Sequence, residues 1–216
     1  MVDTTSRPQG IKTDTWVPAQ WTEYVAICEN NGYEQARCYY DSGWMRFEMA
    51  ALGPLHGRDN AIVLKVIGLF TALNNIRVVE LINTSFRKTG EQDAQPDIAF
   101  YLGDSFQLPP RNNQPIDIEI LGPPQLAVEI ASTTLGDDLG RKRLLYERLG
   151  VQEYWVVDVA IAEVLAFAVD QGSSGEIRDS RVLPGLSLSM VEEAMRRSVR
   201  EDDGAIARWL IQTFRV

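Results

Sequence analysis

The strongest structural signal in the chain is the stretch Leu126-Ala-Val-Glu-Ile-Ala-Ser-Thr-Thr-Leu-Gly-Asp-Asp-Leu-Gly-Arg-Lys-Arg-Leu-Leu-Tyr-Glu-Arg-Leu149. It predicts a strand followed by a helix. Residues 126–130 are apolar apart from one glutamate, which is typical of a central strand that is covered on both faces. From residue 138 to 149 the spacing changes to that of a helix with one apolar face. The next β-prone run, residues 153–158, completes a strand-helix-strand unit, and this order indicates an α/β protein with a mixed β-sheet flanked by helices.

One lysine stands on the apolar face of this predicted helix. That face is formed by Leu139, Lys142, Leu145, Tyr146 and Leu149. A buried ammonium group is costly unless an acidic partner lies beside it, and Glu129 in the preceding strand is the nearest candidate. The two residues indicate a site between adjoining buried elements, although a structural salt bridge between them would satisfy the same pattern.

The remaining elements follow from turn residues and hydrophobic spacing. We predict a polar arm over residues 1–17, a helix over 19–30, a β-hairpin of 36–41 and 44–49, a long helix over 56–73, strands over 76–82, 98–102 and 164–169, a helix over 189–199 and a last helix that ends at 214. We also predict a surface loop over 83–95, a short strand over 116–120 and a turn over 171–175. The chain is therefore divided into residues 1–35, an N-terminal arm and helix, and residues 36–216, one globular unit with C-terminal helices.

The composition limits the classes of function. The chain has 216 residues and a formal net charge of −9 at pH 7, so a polyanion would have to be held locally or through a cation. It has no apolar run of about eighteen residues and no apolar N-terminal signal segment, and we expect a cytoplasmic protein with no membrane partner. Cys28 and Cys38 are too few for a metal or redox pattern and are interpreted as reduced packing residues.

Two carboxylates and one ammonium group form the candidate site. Asp97, directly after Pro96, and Glu129 would supply the oxygen ligands that Mg²⁺ prefers. Such a cation would offset repulsion between an acidic protein and a phosphodiester, polarise a phosphoryl oxygen and lower the pKa of a bound water. Lys142 would orient or help to deprotonate that water, or stabilise charge in the transition state. Taken alone, Asp97 would be interpreted first as a turn aspartate after proline at a strand edge, and its context favours the metal site instead.

Four segments in a fixed order carry a resemblance to a known family. They are Pro96-Asp97, Val128-Glu-Ile-Ala-Ser132, Asp138-Leu-Gly-Arg-Lys-Arg-Leu-Leu-Tyr146 and Gly150-Val-Gln-Glu-Tyr-Trp-Val-Val-Asp158. Over about residues 36 to 190 the chain resembles the putative restriction endonuclease family of the PD-(D/E)XK nuclease superfamily, formerly a domain of unknown function. The resemblance implies a restriction-endonuclease-like fold and a metal-dependent DNA endonuclease.

The resemblance also implies roles for individual residues. Asp97 and Glu129 become the ligands of Mg²⁺ or Mn²⁺, and Lys142 becomes the catalytic lysine. In the commonest superfamily pattern the lysine stands two residues after the second acid, where this chain has Ala131, but the family supplies its lysine from the next helix, as Lys142 does. His56, at the start of the long helix, and Tyr146, one turn after Lys142, are accessory candidates. Local hydrogen bonds at a helix end would explain His56 equally well.

The implied partner is duplex DNA, and paired active sites that cut both strands would favour a homodimer. An alternative from another class is a non-catalytic nucleic-acid-binding or assembly protein on the same fold. A third is a metal-dependent hydrolase of smaller phosphate substrates. Arginines at 196, 197, 200 and 208 could follow a DNA backbone, but interleaved acidic residues favour an ordinary solvated helical surface.

Overall fold

The described residues, 12–29, 36–49 and 53–215, form two six-stranded β-sheets and the surrounding helices in this computed structural model. The strands are β1 (Val17–Pro18), β2 (Ala36–Asp41), β3 (Trp44–Met49), β4 (Val78–Ile82), β5 (Phe86–Lys88), β6 (Gln92–Ala94), β7 (Ile98–Leu102), β8 (Ile116–Asp117), β9 (Leu126–Ala131), β10 (Glu153–Asp158), β11 (Glu163–Asp170) and β12 (Ser173–Ile177). The helices are α1 (Trp21–Cys28), α2 (Pro54–Leu73), α3 (Ile118–Leu121), α4 (Leu135–Asp137), α5 (Arg143–Leu149), α6 (Leu188–Ser198) and α7 (Asp203–Phe214). A π-helical turn over Asp138–Lys142 joins α4 to α5.

The central sheet has the order β12-β11-β10-β9-β7-β4, and β9 and β10 are its parallel pair. A parallel pair needs a crossover connection, which is made by α4, the π-helical turn and α5. The other pairs of described strands in this sheet are antiparallel. The predicted α/β class, with a mixed sheet flanked by helices, is confirmed.

Both faces of the central sheet are covered, and every residue of β9 is therefore buried. On one face, Val128 and Trp155 pack in a core with residues of α2, α6 and α7. On the other face, Ala127 and Tyr154 pack with residues of α5. Because side chains alternate along a strand, Glu129 points to the same face as Ala127, toward the crossover.

The hairpin sheet has the order β1-β3-β2-β6-β5-β8 and contains the predicted β2–β3 hairpin. The prediction of a surface loop over residues 83–95 is wrong, because β5 and β6 lie there and extend this sheet. Phe86 and Ala94 are buried, and the buried Asp93 carboxylate accepts a hydrogen bond of 2.6 Å from Arg87. A polar segment can be buried here because its charges are paired.

Three further predictions differ from the structure. The helix predicted over 19–30 is shorter, since α1 spans Trp21–Cys28 and follows β1. Residue 30 and residues 1–11 of the predicted arm lie outside the described residues. The strand predicted over 116–120 stops after two residues, as β8. The Asp117 side chain then accepts a hydrogen bond from the Glu119 N–H and caps the start of α3. The turn predicted over 171–175 is confined to Gln171 and Gly172, both with positive φ, and β12 follows.

The N-terminal elements pack on the hairpin. Tyr24 of α1 contacts Tyr40 of β2 and Phe47 of β3, with ring centroids 5.1 and 6.1 Å away. Cys28 and Cys38 are free and partly buried beside this cluster. The boundary between residues 35 and 36 stays a prediction. No helix in the described ranges is long and apolar enough to cross a membrane.

Candidate active site

The two predicted metal ligands lie side by side on the central sheet. Ile98 pairs with Val128 in the antiparallel β7–β9 register, so the preceding Asp97 lies opposite Glu129. Oδ2 of Asp97 accepts a hydrogen bond of 2.8 Å from the backbone N–H of Ile130. Asp97 is 2% and Glu129 1% exposed. The fold therefore holds two buried carboxylates together on adjacent strands of the central sheet.

Asp97 has two partners on its other oxygen. Oδ1 accepts a hydrogen bond from the guanidinium of Arg37 and lies 2.9 Å from Nε2 of His56. Burial alone would raise the pKa of Asp97, but the hydrogen bond with His56 and the charge of Arg37 lower it to about 2. His56 lies in the first turn of α2, so this helix brings a predicted accessory residue to the site.

The pKa of Glu129 is shifted in the opposite direction from that of Asp97. Oε1 accepts hydrogen bonds from the hydroxyls of Tyr146, at 2.8 Å, and Tyr39, at 3.2 Å. Oε2 lies 3.8 Å from Nη1 of Arg37. Burial raises the pKa of Glu129 to about 8, against the attraction of Lys142 and together with repulsion from neighbouring carboxylates. A divalent cation between the two acids would stabilise the ionised form.

Lys142 is surrounded by carboxylates. Its Nζ lies 2.8 Å from Oε2 of Glu48, 2.8 Å from Oδ1 of Asp138 and 3.7 Å from Oε1 of Glu129. It also lies 4.4 Å from the centre of the Tyr39 ring. Burial opposes the charge, but attraction to Glu129 and the other partners raises the pKa of Lys142 well above its usual value. The side chain is therefore an ammonium group at neutral pH.

The π-helical turn brings both Asp138 and Lys142 to the buried side of the crossover. Oδ2 of Asp138 accepts a hydrogen bond of 2.6 Å from Thr134, and its backbone oxygen accepts one of 3.0 Å from the Tyr154 hydroxyl. The helix predicted over 138–149 thus begins with a π-helical turn, a local variation that is frequent at functional sites. Lys142 lies on the buried face, as its spacing predicted.

Three residues of this cluster were not predicted from the sequence: Arg37, Tyr39 and Glu48. All three lie on the β2–β3 hairpin, where Arg37 and Glu48 are partners in the register. Arg37 and Tyr39 stand two residues apart on β2 and so point to the same face. The available signal was the presence of charged residues in strands that are otherwise aromatic and apolar, since buried charges need partners.

One small cavity joins the charged groups. Its volume is about 70 Å³, and its lining includes Arg37, Glu48, His56, Asp97, Glu129 and Lys142. Tyr146 lies behind Glu129 and is fully buried. The structure thus brings all five predicted site residues together. A cavity of about 850 Å³ beside the start of α2 and the end of α6 has none of these five in its lining.

The donor chemistry of Asp97 and Glu129 fits Mg²⁺. Both offer carboxylate oxygens, although the described residues contain no cluster of three or more His, Cys, Asp or Glu side chains placed to hold a metal. Mg²⁺ commonly takes one or two protein carboxylates and fills its other positions with water and substrate oxygens. Oδ1 of Asp97 and Oε2 of Glu129 both face the space in which Arg37 lies.

Together these features define an α/β protein of the restriction-endonuclease-like class, with a pocket that holds two acids and a lysine. Residues 21–200 match the model of the Uma2 family, described as putative restriction endonuclease, and the chain belongs to this family. The family recognised from the sequence is thereby confirmed, and it supports a nuclease-like role.

A solved structure has the same fold. It is the crystal structure of a putative nuclease belonging to DUF820 from Anabaena variabilis, which is 18% identical to this chain. The match covers 82% of this chain and 99% of that one, with a TM-score of 0.56. At this identity the likeness is one of fold. No curated protein matches the sequence.

Proposed function

We propose that this protein is a Mg²⁺- or Mn²⁺-dependent endonuclease that hydrolyses phosphodiester bonds in duplex DNA. One observation carries the proposal: Asp97 and Glu129 lie on adjacent strands, and the ammonium group of Lys142 lies 3.7 Å from Glu129 in the lining of the same cavity. Membership of the putative restriction endonuclease family supports the same reaction class.

Each residue of the site has a distinct part in this proposal. Asp97 and Glu129 would hold the metal ion, which, when bound, would polarise a phosphodiester oxygen and lower the pKa of a coordinated water. Tyr146 orients Glu129 through its hydrogen bond of 2.8 Å. Lys142 remains protonated, so it serves to orient water and stabilise developing negative charge rather than to accept a proton. His56 positions Asp97 through its ring nitrogen.

The proposed substrate is duplex DNA, and the proposed assembly is a homodimer. A net charge of −9 opposes binding of a polyanion, so the metal ion would supply the local attraction that the chain lacks overall. Two active sites could cut both strands of a duplex in one binding event, and a homodimer with two-fold symmetry would supply them. The cytoplasmic location predicted from the sequence is consistent with a DNA substrate.

Cleavage of supercoiled plasmid tests the proposal. The assay compares wild type with Asp97→Ala, Glu129→Ala and Lys142→Ala, and the matched control is Glu119→Gln, which changes an exposed carboxylate outside the cavity. Without one of the acids we expect loss of both cleavage and metal-induced thermal stabilisation. Lys142→Ala should lose cleavage and retain the stabilisation. Equal cleavage by all variants would indicate a contaminating nuclease and contradict the proposal.

A second candidate is a non-catalytic nucleic-acid-binding or assembly protein. The observation that favours it is the pairing of Asp97 with Arg37 and His56, which satisfies this carboxylate without a metal ion. Titration with Mg²⁺ and Mn²⁺ distinguishes the two candidates. Absence of any thermal shift in the wild-type protein would favour the second, whereas a shift that Asp97→Ala abolishes would favour the nuclease.

A further inference from the structure

Arg37 lies where a metal ion shared by the two acids would be expected. Its guanidinium hydrogen-bonds to Oδ1 of Asp97 and approaches Oε2 of Glu129 to 3.8 Å. The side chain is 9% exposed. Burial opposes its charge, but Asp97 and Glu129 raise the pKa of Arg37 above its usual value. The two acids thus share a cation that belongs to the chain itself.

The remaining oxygens of the two acids have other partners. Oδ2 of Asp97 accepts the hydrogen bond from the Ile130 N–H at 2.8 Å. Oε1 of Glu129 accepts the hydrogen bond from Tyr146 and lies 3.7 Å from the Lys142 ammonium group. Oδ1 of Asp97 and Oε2 of Glu129 are the oxygens that face Arg37, and a metal ion held by both acids would be bound there. Since Mg²⁺ binds oxygen at about 2.0–2.1 Å, it and the guanidinium exclude each other from this space.

We propose that Arg37 is an intrinsic competitor of the divalent metal ion. The proposal rests on the metal-dependent function described above. Metal entry requires the guanidinium to leave the space between Asp97 and Glu129, whereas the backbone of Arg37 stays paired with Glu48 in the hairpin. The apparent metal affinity is then the intrinsic affinity reduced by the fraction of molecules in which Arg37 occupies the site.

This competition has a physical consequence for the metal-free protein. A buried carboxylate such as Asp97 is costly unless a positive charge lies beside it. Arg37 supplies this charge and stabilises the fold without metal. The same contact raises the metal concentration at which the site fills, so the protein would respond to the concentration of free divalent cation.

Calorimetric titration of the full chain with MnCl₂ tests the competition. It compares wild type with Arg37→Gln, and the matched control is Arg87→Gln, which breaks the 2.6 Å contact with the buried carboxylate of Asp93 outside the cavity. We expect the Kd for Mn²⁺ to fall about tenfold in Arg37→Gln, because the competing cation is gone, and to stay unchanged in the control. Without metal, Arg37→Gln should also unfold at a lower temperature than wild type.

A second variant covers the case in which Arg37→Gln does not fold. Arg37→Lys keeps a positive charge but lacks the two-pronged guanidinium, so it should fold and bind Mn²⁺ more tightly than wild type. Equal or weaker binding by the Arg37 variants would overturn the competition, whereas wild-type binding that Asp97→Ala abolishes would preserve the proposed function. Absence of Mn²⁺ binding by wild type and both Arg37 variants would overturn both proposals.

Discussion

The ammonium group of Lys142 lies 2.8 Å from Oε2 of Glu48, a residue 94 positions earlier in the chain. The same carboxylate accepts, through Oε1, a hydrogen bond of 2.7 Å from Nε of Arg46. Glu48 therefore joins the hairpin to the helical crossover through Lys142, while Arg46, on the same strand as Glu48, binds its other oxygen. A buried carboxylate with two charged donors is restrained in its orientation, so it can hold the Lys142 ammonium group beside Glu129.

Replacement of Glu48 tests this positioning role. Glu48→Gln keeps the shape of the side chain but removes one of the negative charges that hold Lys142. We expect the kcat of plasmid cleavage to fall about tenfold, because the ammonium group is displaced from its position. Thermal stabilisation by Mn²⁺ should be retained, and Glu91→Gln, which alters an exposed pair with Lys88, should change neither quantity. Loss of metal binding in Glu48→Gln would instead make Glu48 a metal ligand.

The end of α5 offers a prediction about stability alone. Gly150 has φ of +87° and its N–H donates to the carbonyl groups of Tyr146 and Glu147. An added Cβ would make an ordinary contact of 3.5 Å with Pro123, so the cost of Gly150→Ala comes from the left-handed backbone. We expect a loss of about 1 kcal/mol, or a fall in Tm of about 2–4 °C.

Gly136→Ala is the matched control for that measurement. Gly136 lies in α4, outside the left-handed region, and an added Cβ would meet nothing within 4 Å. Thermal unfolding should show unchanged or slightly raised stability, since alanine reduces the freedom of the unfolded chain. Equal losses in the two variants would contradict the role of the Gly150 backbone conformation.

The sequence predicted the parts of the fold whose signal is local. The β9 run is apolar because both faces of the sheet are covered, and β10 begins and ends at the residues predicted. The buried position of Lys142 followed from the spacing of its helical neighbours. Such patterns lie within one or two turns or strands, so a single sequence contains enough information to read them.

The partners of the site residues could not be predicted in the same way. Arg37 and Asp97 are 60 positions apart, and nothing in either local pattern specifies their contact. Likewise β5 and β6 were missed because Gln92 and Asp93 are buried although their sequence is polar. Their burial depends on pairing across the sheet, including the contact between Asp93 and Arg87. A tertiary contact here overrides the local preference.

The raised pKa of Glu129 predicts that metal binding depends on pH. A metal ion must displace the proton that Glu129 holds below its folded pKa of about 8. We therefore expect the apparent affinity for Mn²⁺ to rise about tenfold per pH unit from about pH 6 to 8 and to level off above this range. Calorimetric titrations at stepwise pH measure this, and an affinity that stays constant from pH 6 to 8 would contradict it.

Glu129 also makes the stability of the metal-free protein depend on pH, but stability falls with rising pH whereas metal affinity rises. Between the ordinary pKa of 4.5 and about 8, folded Glu129 binds a proton that the unfolded chain has released. Stability therefore falls as pH rises through this window, because the folded state binds more protons. Glu129→Gln should remove this contribution to the slope of unfolding free energy against pH. An unchanged slope in that variant would assign the effect to other groups.

The hydroxyl of Tyr146 should set the pH at which the metal binds. It donates a hydrogen bond of 2.8 Å to Oε1 of Glu129 and so favours the ionised carboxylate. Tyr146→Phe should raise the pKa of Glu129 and move the pH dependence of Mn²⁺ binding upward by about one pH unit. Tyr154→Phe is the control, because its ring stacks on that of Tyr146 at 4.6 Å but its hydroxyl donates to the backbone oxygen of Asp138. Equal shifts in both variants would show that lost packing, rather than the hydrogen bond to Glu129, causes the change.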